Sequence, residues 1–241
     1  MEHNKYIYKL TSGGDFLYSS ITDILKINDT SILISKINHQ SNIVVGVPHH
    51  TPVGTFMMPC EDHIYGDQNT GYVGYNIAES LNCNFLCACN YFIDPNKKKN
   101  NNYSDYYVAL EKCNPKYLVE IHGHGVEHCG NDIEISSGSK EDEFHAIKLK
   151  DEIRRIIGAQ LEEDENNEDL RNLERININA DFNKIYYKAS KSATIVDKRW
   201  ISYHIELPLI LRIEDNNGYL PKTGLEFVNI LCKSIKNVCL Y

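Results

Sequence analysis

The sequence predicts an α/β fold in which helices cover both faces of a central mixed, mainly parallel sheet. The first observation is a series of short β-branched or apolar runs, typical of buried strands, along the 241-residue chain. The second is that amphipathic segments separate most of these runs, an alternation that implies crossover connections between strands. The third is a hydrophobic content of 42%, which is enough for one sizeable core. We therefore predict a single three-layer α/β/α domain over residues 1–241.

The order of the elements follows from where these two patterns start and stop. Residues 1–40 contain short strand-like runs with a turn signal at Gly13-Gly14-Asp15, and we expect them to form edge strands. Residues 160–172 are acidic and lack apolar periodicity, so we predict a surface loop there. Between and after these segments, strands are predicted over 43–47, 85–89, 117–121, 132–136 and 201–207, and helices over 70–81, 104–113, 141–157 and 222–237.

Composition argues against two classes of partner. The net charge is -8 and the pI is about 5.7, with Lys97-Lys98-Lys99 as the one basic run, so the chain lacks the cationic surface that nucleic acid requires. No apolar segment approaches the roughly 20 residues that span a bilayer, and the first residues lack the apolar core of a signal peptide. We therefore expect a cytoplasmic protein whose partner is a small molecule or a short peptide.

The cysteines are scattered, which in a reducing compartment favours free thiols over disulfides. We expect the side chains of Cys87 and Cys89 to point to opposite faces of a strand, which makes a shared metal or a disulfide at Cys87-Ala88-Cys89 unfavourable.

Imidazoles follow two of the predicted strands at the point where each strand ends, and the carboxylate of Glu206 lies near the end of a third. The run 43–47 leads to Pro48-His49-His50, and the run 117–121 leads to His122. The carboxyl ends of parallel strands meet at one edge of a sheet, so these groups are expected to lie close together. A hydrolytic zinc needs about three protein ligands, usually imidazoles and carboxylates, and one open position. His49 or His50 and His122 are candidate ligands, and Glu61 or Asp67 is the candidate carboxylate.

Glu206 lies within an apolar strand, where an unpaired carboxylate is costly to bury. Such a residue is usually paired with a cation or functional. If Glu206 points into the metal cleft, it can act as a general base with a pKa raised by burial. Arg199, which comes shortly before this strand, is a candidate for polarising a substrate carbonyl or binding a substrate carboxylate.

Four short motifs follow one another along the chain: Val47-Pro48-His49, Asp67, Asp94-Pro95-Asn96-Lys97 and Glu120-Ile121-His122. In this order they resemble N-formylglutamate amidohydrolases, whose pattern runs from a Pro-His loop through an Asp and an Asp-x-Asn-Arg segment to an Asp-x-His strand end. The strand around Glu206 also resembles the one that bears the catalytic glutamate in zinc carboxypeptidases and succinylglutamate desuccinylases. The resemblance covers roughly residues 42–212.

The resemblance implies a zinc-carboxypeptidase-like fold, a zinc ion as cofactor and hydrolysis of an amide bond in a carboxylate-bearing substrate such as an N-acyl amino acid. It implies that His49, Asp67 and His122 hold the metal. Asn96 and Lys97 would contact the substrate carboxylate, and Glu206 would be the general base.

Three features depart from the family patterns. The family's arginine is Lys97 here, and lysine offers a point charge instead of a bidentate fork. The His-x-x-Glu pair of the carboxypeptidases is absent, and His50 and His124 are additional imidazoles. Imidazole and carboxylate ligands suit zinc but admit manganese, iron or nickel.

Two other functions are compatible with the sequence. One is a metal-binding module without catalytic activity, which would not require a base such as Glu206. The other is a cysteine-dependent amidase that uses Cys129 or Cys87 as its nucleophile.

Overall fold

A computed structural model of the chain describes residues 6–10, 20–55, 60, 63–97, 103–130, 132–214 and 219–239. The strands are β1 Tyr6–Leu10, β2 Ile32–Lys36, β3 Ile43–Thr51, β4 Asp67–Gln68, β5 Asn84–Cys89, β6 Tyr117–Gly123, β7 Ile133–Ser136, β8 Ile178–Asn179 and β9 Ile201–Leu207. The helices are α1 Ile21–Ile24, α2 Thr70–Leu81, α3 Asp105–Cys113, α4 Val126–Cys129, α5 Glu143–Glu163, α6 Glu168–Arg175 and α7 Lys222–Cys239, and Leu209–Leu211 forms a short 3-10 helix.

The strands form one nine-stranded sheet within the described residues, in the order β1-β2-β5-β3-β6-β9-β7-β8, with β4 beside β3. Its centre is parallel: β3 pairs with β5 and with β6, and β6 pairs with β9. Strands β1 and β2 are antiparallel at one edge, and β7 runs antiparallel to β9. The predicted mixed, mainly parallel α/β sheet is confirmed.

Apolar side chains of the central strands pack under helices on both faces of the sheet. On one face, Ile77 of α2, Ile153 of α5 and Phe227 of α7 belong to a single buried cluster. On the other face, Leu110 of α3 packs with Trp200 in a smaller cluster. Full burial of one such aliphatic side chain contributes roughly 1.5–3 kcal/mol. The two clusters hold the central strands in place, and their carboxyl ends reach the same edge of the sheet.

The predicted loop over 160–172 is mostly helical instead. Helix α5 continues to Glu163, and α6 begins at Glu168 after Asn167, whose side chain accepts a hydrogen bond from the Leu170 backbone N–H and caps the helix. Leu170 and Leu173 are the buried residues of α6, three positions apart, as expected for one face of a short helix. Their burial stabilises a helix in a segment that is otherwise acidic.

No helix in the described part of the chain combines the length and the apolar composition that a membrane-spanning segment needs.

Candidate metal centre

Three donor atoms from three strands form a nearly equilateral triangle at the carboxyl edge of the sheet. His49 Nδ1 lies 3.3 Å from His122 Nδ1 and 3.5 Å from Asp67 Oδ2, and His122 Nδ1 lies 3.4 Å from Asp67 Oδ2. Zinc binds imidazole and carboxylate at about 2.0–2.2 Å, so neighbouring ligand atoms in a tetrahedral site lie roughly 3.3–3.5 Å apart. The triangle therefore has the dimensions of one face of a tetrahedral zinc site.

The hydrogen bonds of the two imidazoles leave the right atoms free for a metal. His49 Nε2 faces Asp94 Oδ1 at 3.1 Å, and His122 Nε2 faces Glu120 Oε2 at 3.3 Å. An ionised carboxylate can only accept a hydrogen bond, so these contacts assign a proton to Nε2 in each ring. In the neutral form of each ring, Nδ1 then has the lone pair that a metal can bind. Carboxylate-bound imidazoles of this kind are typical of metal ligands.

The position of Glu120 depends on a glycine in the neighbouring strand. Gly46 of β3 lies opposite Glu120 of β6, and a Cβ at this position would overlap the hydroxyl of Tyr106. Because the space is free, the Tyr106 hydroxyl reaches Glu120 and donates a hydrogen bond of 3.0 Å to Oε1. Both oxygens of this fully buried carboxylate are therefore engaged, which fixes the orientation of His122.

The electrostatics of the cluster favour a cation. Burial lowers the pKa of His122, but its contacts with Asp67 and Glu120 and the charge of Glu206 outweigh burial and raise the pKa to about 10. The site therefore stabilises positive charge at His122, and a metal ion would take the place of the proton on Nδ1. Asp67 Oδ2 is buried and receives no hydrogen bond from the described residues. A buried carboxylate oxygen without a donor is costly, and a divalent cation at the centre of the triangle would satisfy it. The residues present thus fit a metal ion.

Glu206 lies beside this triangle. It pairs with His122 in the register of β6 and β9, so the two side chains extend from neighbouring positions on the same face. Its Oε1 lies 3.4 Å from His204 Nε2, while its Oε2 is buried and has no hydrogen-bond partner among the described residues. Burial raises the pKa of Glu206 to about 7, although the neighbouring His122 lowers it. A carboxyl group with a pKa near neutrality suits proton transfer in both directions.

The cluster opens into a cleft of about 880 Å³. Lysines at Lys97, Lys188 and Lys191 line it together with the triangle, and Tyr65 and Tyr186 contribute exposed aromatic rings. The cleft has room for more than one amino-acid residue and presents cationic side chains to its contents.

Not all predicted ligands reach the cluster. His50 points away from His49, as neighbours in a strand do, and its ring accepts a hydrogen bond from the Gly71 backbone N–H at Nδ1 and contacts the Leu25 carbonyl at Nε2. The structure therefore places His49, and not His50, in the triangle. Glu61 lies outside the described residues, and Asp67 occupies the carboxylate position.

The two predicted substrate-binding residues line the cleft. Lys97 Nζ forms an ion pair of 2.6 Å with Asp94 Oδ2, and its side chain is 45% exposed, which leaves part of it available to a ligand. Asn96 is buried at the wall of the cleft, and its backbone carbonyl accepts a hydrogen bond from Ala193 N.

Arg199 does not reach the site. It precedes β9, whereas Glu206 is near the end of this strand, and β9 is seven residues long, so about 20 Å of extended chain separates the two ends. The Arg199 guanidinium forms exposed ion pairs with Asp197 and Glu111. The other candidate site residues lie at the carboxyl edge, so the predicted catalytic role of Arg199 is wrong.

The sequence did not predict the contacts that Asp94 and His63 make with His49. Asp94 belongs to the Asp94-Pro95-Asn96-Lys97 motif, and its Oδ1 faces His49 Nε2 at 3.1 Å. His63 stacks on the His49 ring at 3.8 Å, and its Nε2 lies 3.9 Å from Asp67 Oδ1. His63 belongs to an irregular segment, where no periodicity predicts side-chain direction. Its spacing of four residues before Asp67 is the available signal.

The cysteines also require a correction. Cys87 Sγ and Cys89 Sγ lie 3.6 Å apart, so the two side chains share a face of β5. Residues two positions apart in a strand point the same way, and the prediction of opposite faces was wrong. The eight cysteines are free thiols, as expected.

Neither a family model nor a curated protein matches this chain by sequence. Among solved structures, N-formylglutamate amidohydrolase from Ralstonia eutropha JMP134 is similar over 86% of this chain and 96% of its own length, with a TM-score of 0.51 and 11% identity. A bacteriophage poly-gamma-glutamate hydrolase matches over 85% of this chain and 87% of its own, with a TM-score of 0.49 and 12% identity. A metallo-carboxypeptidase from Burkholderia cenocepacia matches over 86% and 60%, with a TM-score of 0.45 and 7% identity. The resemblance to N-formylglutamate amidohydrolases that the motifs predicted is thus confirmed for the fold.

Proposed function

We propose that this protein is a metal-dependent hydrolase, with zinc as the expected ion, that cleaves an amide bond in a small carboxylate-bearing substrate such as an N-acyl amino acid or short acidic peptide. The observation that carries the proposal is the triangle of His49, Asp67 and His122, with its tetrahedral spacing and its unsatisfied Asp67 oxygen. The fold it shares with an amidohydrolase supports the proposal.

A divalent metal bound at the triangle would polarise the scissile carbonyl and acidify water. Glu206 would take a proton from the attacking water on its free Oε2 and return it to the nitrogen of the leaving amine. Water thereby adds to the carbonyl carbon, the C–N bond breaks, and the products are a carboxylate and an amine. Asp94 and Glu120 would keep the two imidazoles in the tautomer that the site requires.

The charge of the cleft supports an anionic substrate. The lysines at its wall can attract a carboxylate. Among them, Lys97 forms an ion pair with Asp94, which in turn contacts His49 of the triangle. Lys97 already pairs with Asp94, so a substrate carboxylate would add to an existing ion pair instead of meeting an isolated ammonium.

The contacts of the thiols argue against a cysteine nucleophile. Burial raises the pKa of Cys129 to about 12, and His124, at 3.4 Å, faces the Gly125 and Asp132 carbonyls with its two ring nitrogens. Both ring nitrogens lie nearer to a carbonyl than to the thiol, and the raised pKa keeps Cys129 protonated near neutral pH. Burial also raises the pKa of Cys87 far above its ordinary value, which leaves it as an inert thiol.

The first test is hydrolysis of a panel of N-acyl amino acids and short acidic peptides, with and without a chelator. We expect amine release from at least one acidic substrate, loss of activity on chelation and recovery when Zn²⁺ is added back. A thiol alkylator should leave the activity intact. Activity that resists chelation but is abolished by the alkylator would contradict the proposal and favour a cysteine enzyme.

Lys97→Ala is expected to raise the Michaelis constant for the acidic substrate several-fold while kcat changes little, because a binding interaction common to ground and transition states is lost. Steady-state kinetics measure both constants. Arg199→Ala is the matched control, since it removes the same charge at the far end of the sheet and should leave both constants unchanged.

An unchanged Michaelis constant in Lys97→Ala would contradict the substrate contact and leave Lys97 with its ion pair to Asp94. A loss of bound metal in this variant would contradict it as well, because it would show that Lys97 acts through Asp94 and His49.

A further inference from the structure

One arginine in the described part of the chain is buried beside the metal centre and contacts backbone carbonyls instead of a carboxylate. Arg212 follows the 3-10 helix after β9 and is only 2% exposed. Its guanidinium donates hydrogen bonds from Nε to the Leu207 carbonyl at 3.1 Å, from Nη2 to the His124 carbonyl at 3.0 Å and from Nη1 to the Gln68 carbonyl. A single planar group thus joins three separate segments of backbone.

The three carbonyls share one property: each lies one or two residues after a side chain of the proposed site. Gln68 follows Asp67, Leu207 follows Glu206, and His124 comes two residues after His122. No backbone ladder pairs β4 with β9, because β4 is hydrogen-bonded to β3. The guanidinium is therefore a direct connection between the segment that carries Asp67 and the strand ends that carry His122 and Glu206.

The packing around Arg212 fits this connection closely. A Cβ at Gly123 would overlap the guanidinium carbon, so the end of β6 can approach the arginine only because residue 123 is glycine. The Asn69 side chain in turn donates a hydrogen bond to the Arg212 carbonyl, which fixes the backbone that carries the arginine. The fork shape of the guanidinium suits it to hold several acceptors in a fixed arrangement.

The carboxylates of the proposed site stabilise the charge of Arg212. A buried cation is costly without compensation, and the carboxylates of Asp67 and Glu206 are close enough to stabilise it electrostatically.

We propose that Arg212 is a positioning residue that sets the separation of the segments bearing Asp67, His122 and Glu206. This inference rests on the metal centre of the proposed function. A displacement of one ligand by a fraction of an ångström would distort the triangle, and loss of groups that orient ligands typically weakens metal binding about 10- to 100-fold.

The test is a Co²⁺ titration of wild type, Arg212→Met and Arg154→Met, followed by visible absorption, because the bands of bound Co²⁺ report its coordination geometry. Arg154 is the matched control: its guanidinium also donates to two backbone carbonyls, those of Glu174 and Ile176, but away from the cleft. We expect Arg212→Met to bind Co²⁺ at least about tenfold more weakly with altered bands. Arg154→Met should have the affinity and the bands of wild type.

Far-ultraviolet circular dichroism establishes that each variant is folded. If Arg212→Met does not fold, Gly123→Ala decides, because it retains the charge but forces the guanidinium to move, and it should also weaken Co²⁺ binding and alter the bands. Folded Arg212→Met with wild-type affinity and bands would overturn the inference, as would Gly123→Ala with both unchanged. Failure of the wild type itself to bind Co²⁺ or Zn²⁺ would instead overturn the proposed function.

Discussion

Glu206→Gln is expected to bind metal like the wild type and to lose at least about a hundredfold in turnover, within the 10² to 10⁴ range of general acid–base catalysis. Glutamine has nearly the same shape and can still accept a hydrogen bond, but it cannot take up a proton from water. Metal binding should be retained because Glu206 contributes none of the three donor atoms of the triangle. Turnover on the best substrate and metal content by elemental analysis are the two measurements.

The contacts of Glu206 make it a better candidate for the base than its neighbours. Both oxygens of Glu120 are hydrogen-bonded, and both ring nitrogens of His124 face carbonyls. Glu206 retains one buried oxygen without a partner. Near-normal turnover in Glu206→Gln would contradict this assignment, and loss of the metal would make Glu206 a ligand instead.

His122→Ala is expected to remove nearly all of the bound metal, since two donors of the triangle would remain from three. His50→Ala is the matched control: it removes a buried imidazole from the strand end that carries His49, but one engaged with Gly71 and Leu25. This control should keep the metal. Its free energy of unfolding should fall, because the Gly71 N–H and the Leu25 carbonyl lose their partner and an unsatisfied buried group costs about 1–3 kcal/mol. Full metal occupancy in His122→Ala, or loss of metal in His50→Ala, would contradict the ligand assignment.

Local pattern was enough to predict most of the fold. Helix α2 spans residues 70–81 and strand β9 spans residues 201–207, both as predicted, because apolar periodicity and β-branched runs are properties of short segments. Helix α6 was missed because its few apolar residues lie among acidic ones, and only packing reveals that Leu170 and Leu173 share a buried face.

The proximity of His49 and His122 was predictable for a related reason. His49 and His122 follow strands, and parallel strands bring such positions to one edge. The same reasoning applied to strand direction would have placed Arg199 at the opposite edge, because it precedes the strand that ends near Glu206.

Local pattern did not predict the contacts of Arg212, His63 and Asp94. Each depends on how a loop or a strand connection packs against distant segments, and no local pattern specifies such packing. Arg212, for example, contacts the Gln68 and His124 carbonyls, which are 144 and 88 positions away in the chain.

The central claim is that His49, Asp67 and His122 hold one divalent metal ion. Elemental analysis of the protein, purified without added metal and then after incubation with one equivalent of Zn²⁺ and desalting, tests it most directly. We expect about one mole of divalent metal, zinc foremost, per mole of protein, because a tetrahedral site with three protein ligands retains its ion through desalting. Protein that is folded by circular dichroism but carries almost no divalent metal, even after incubation with Zn²⁺, would contradict the account.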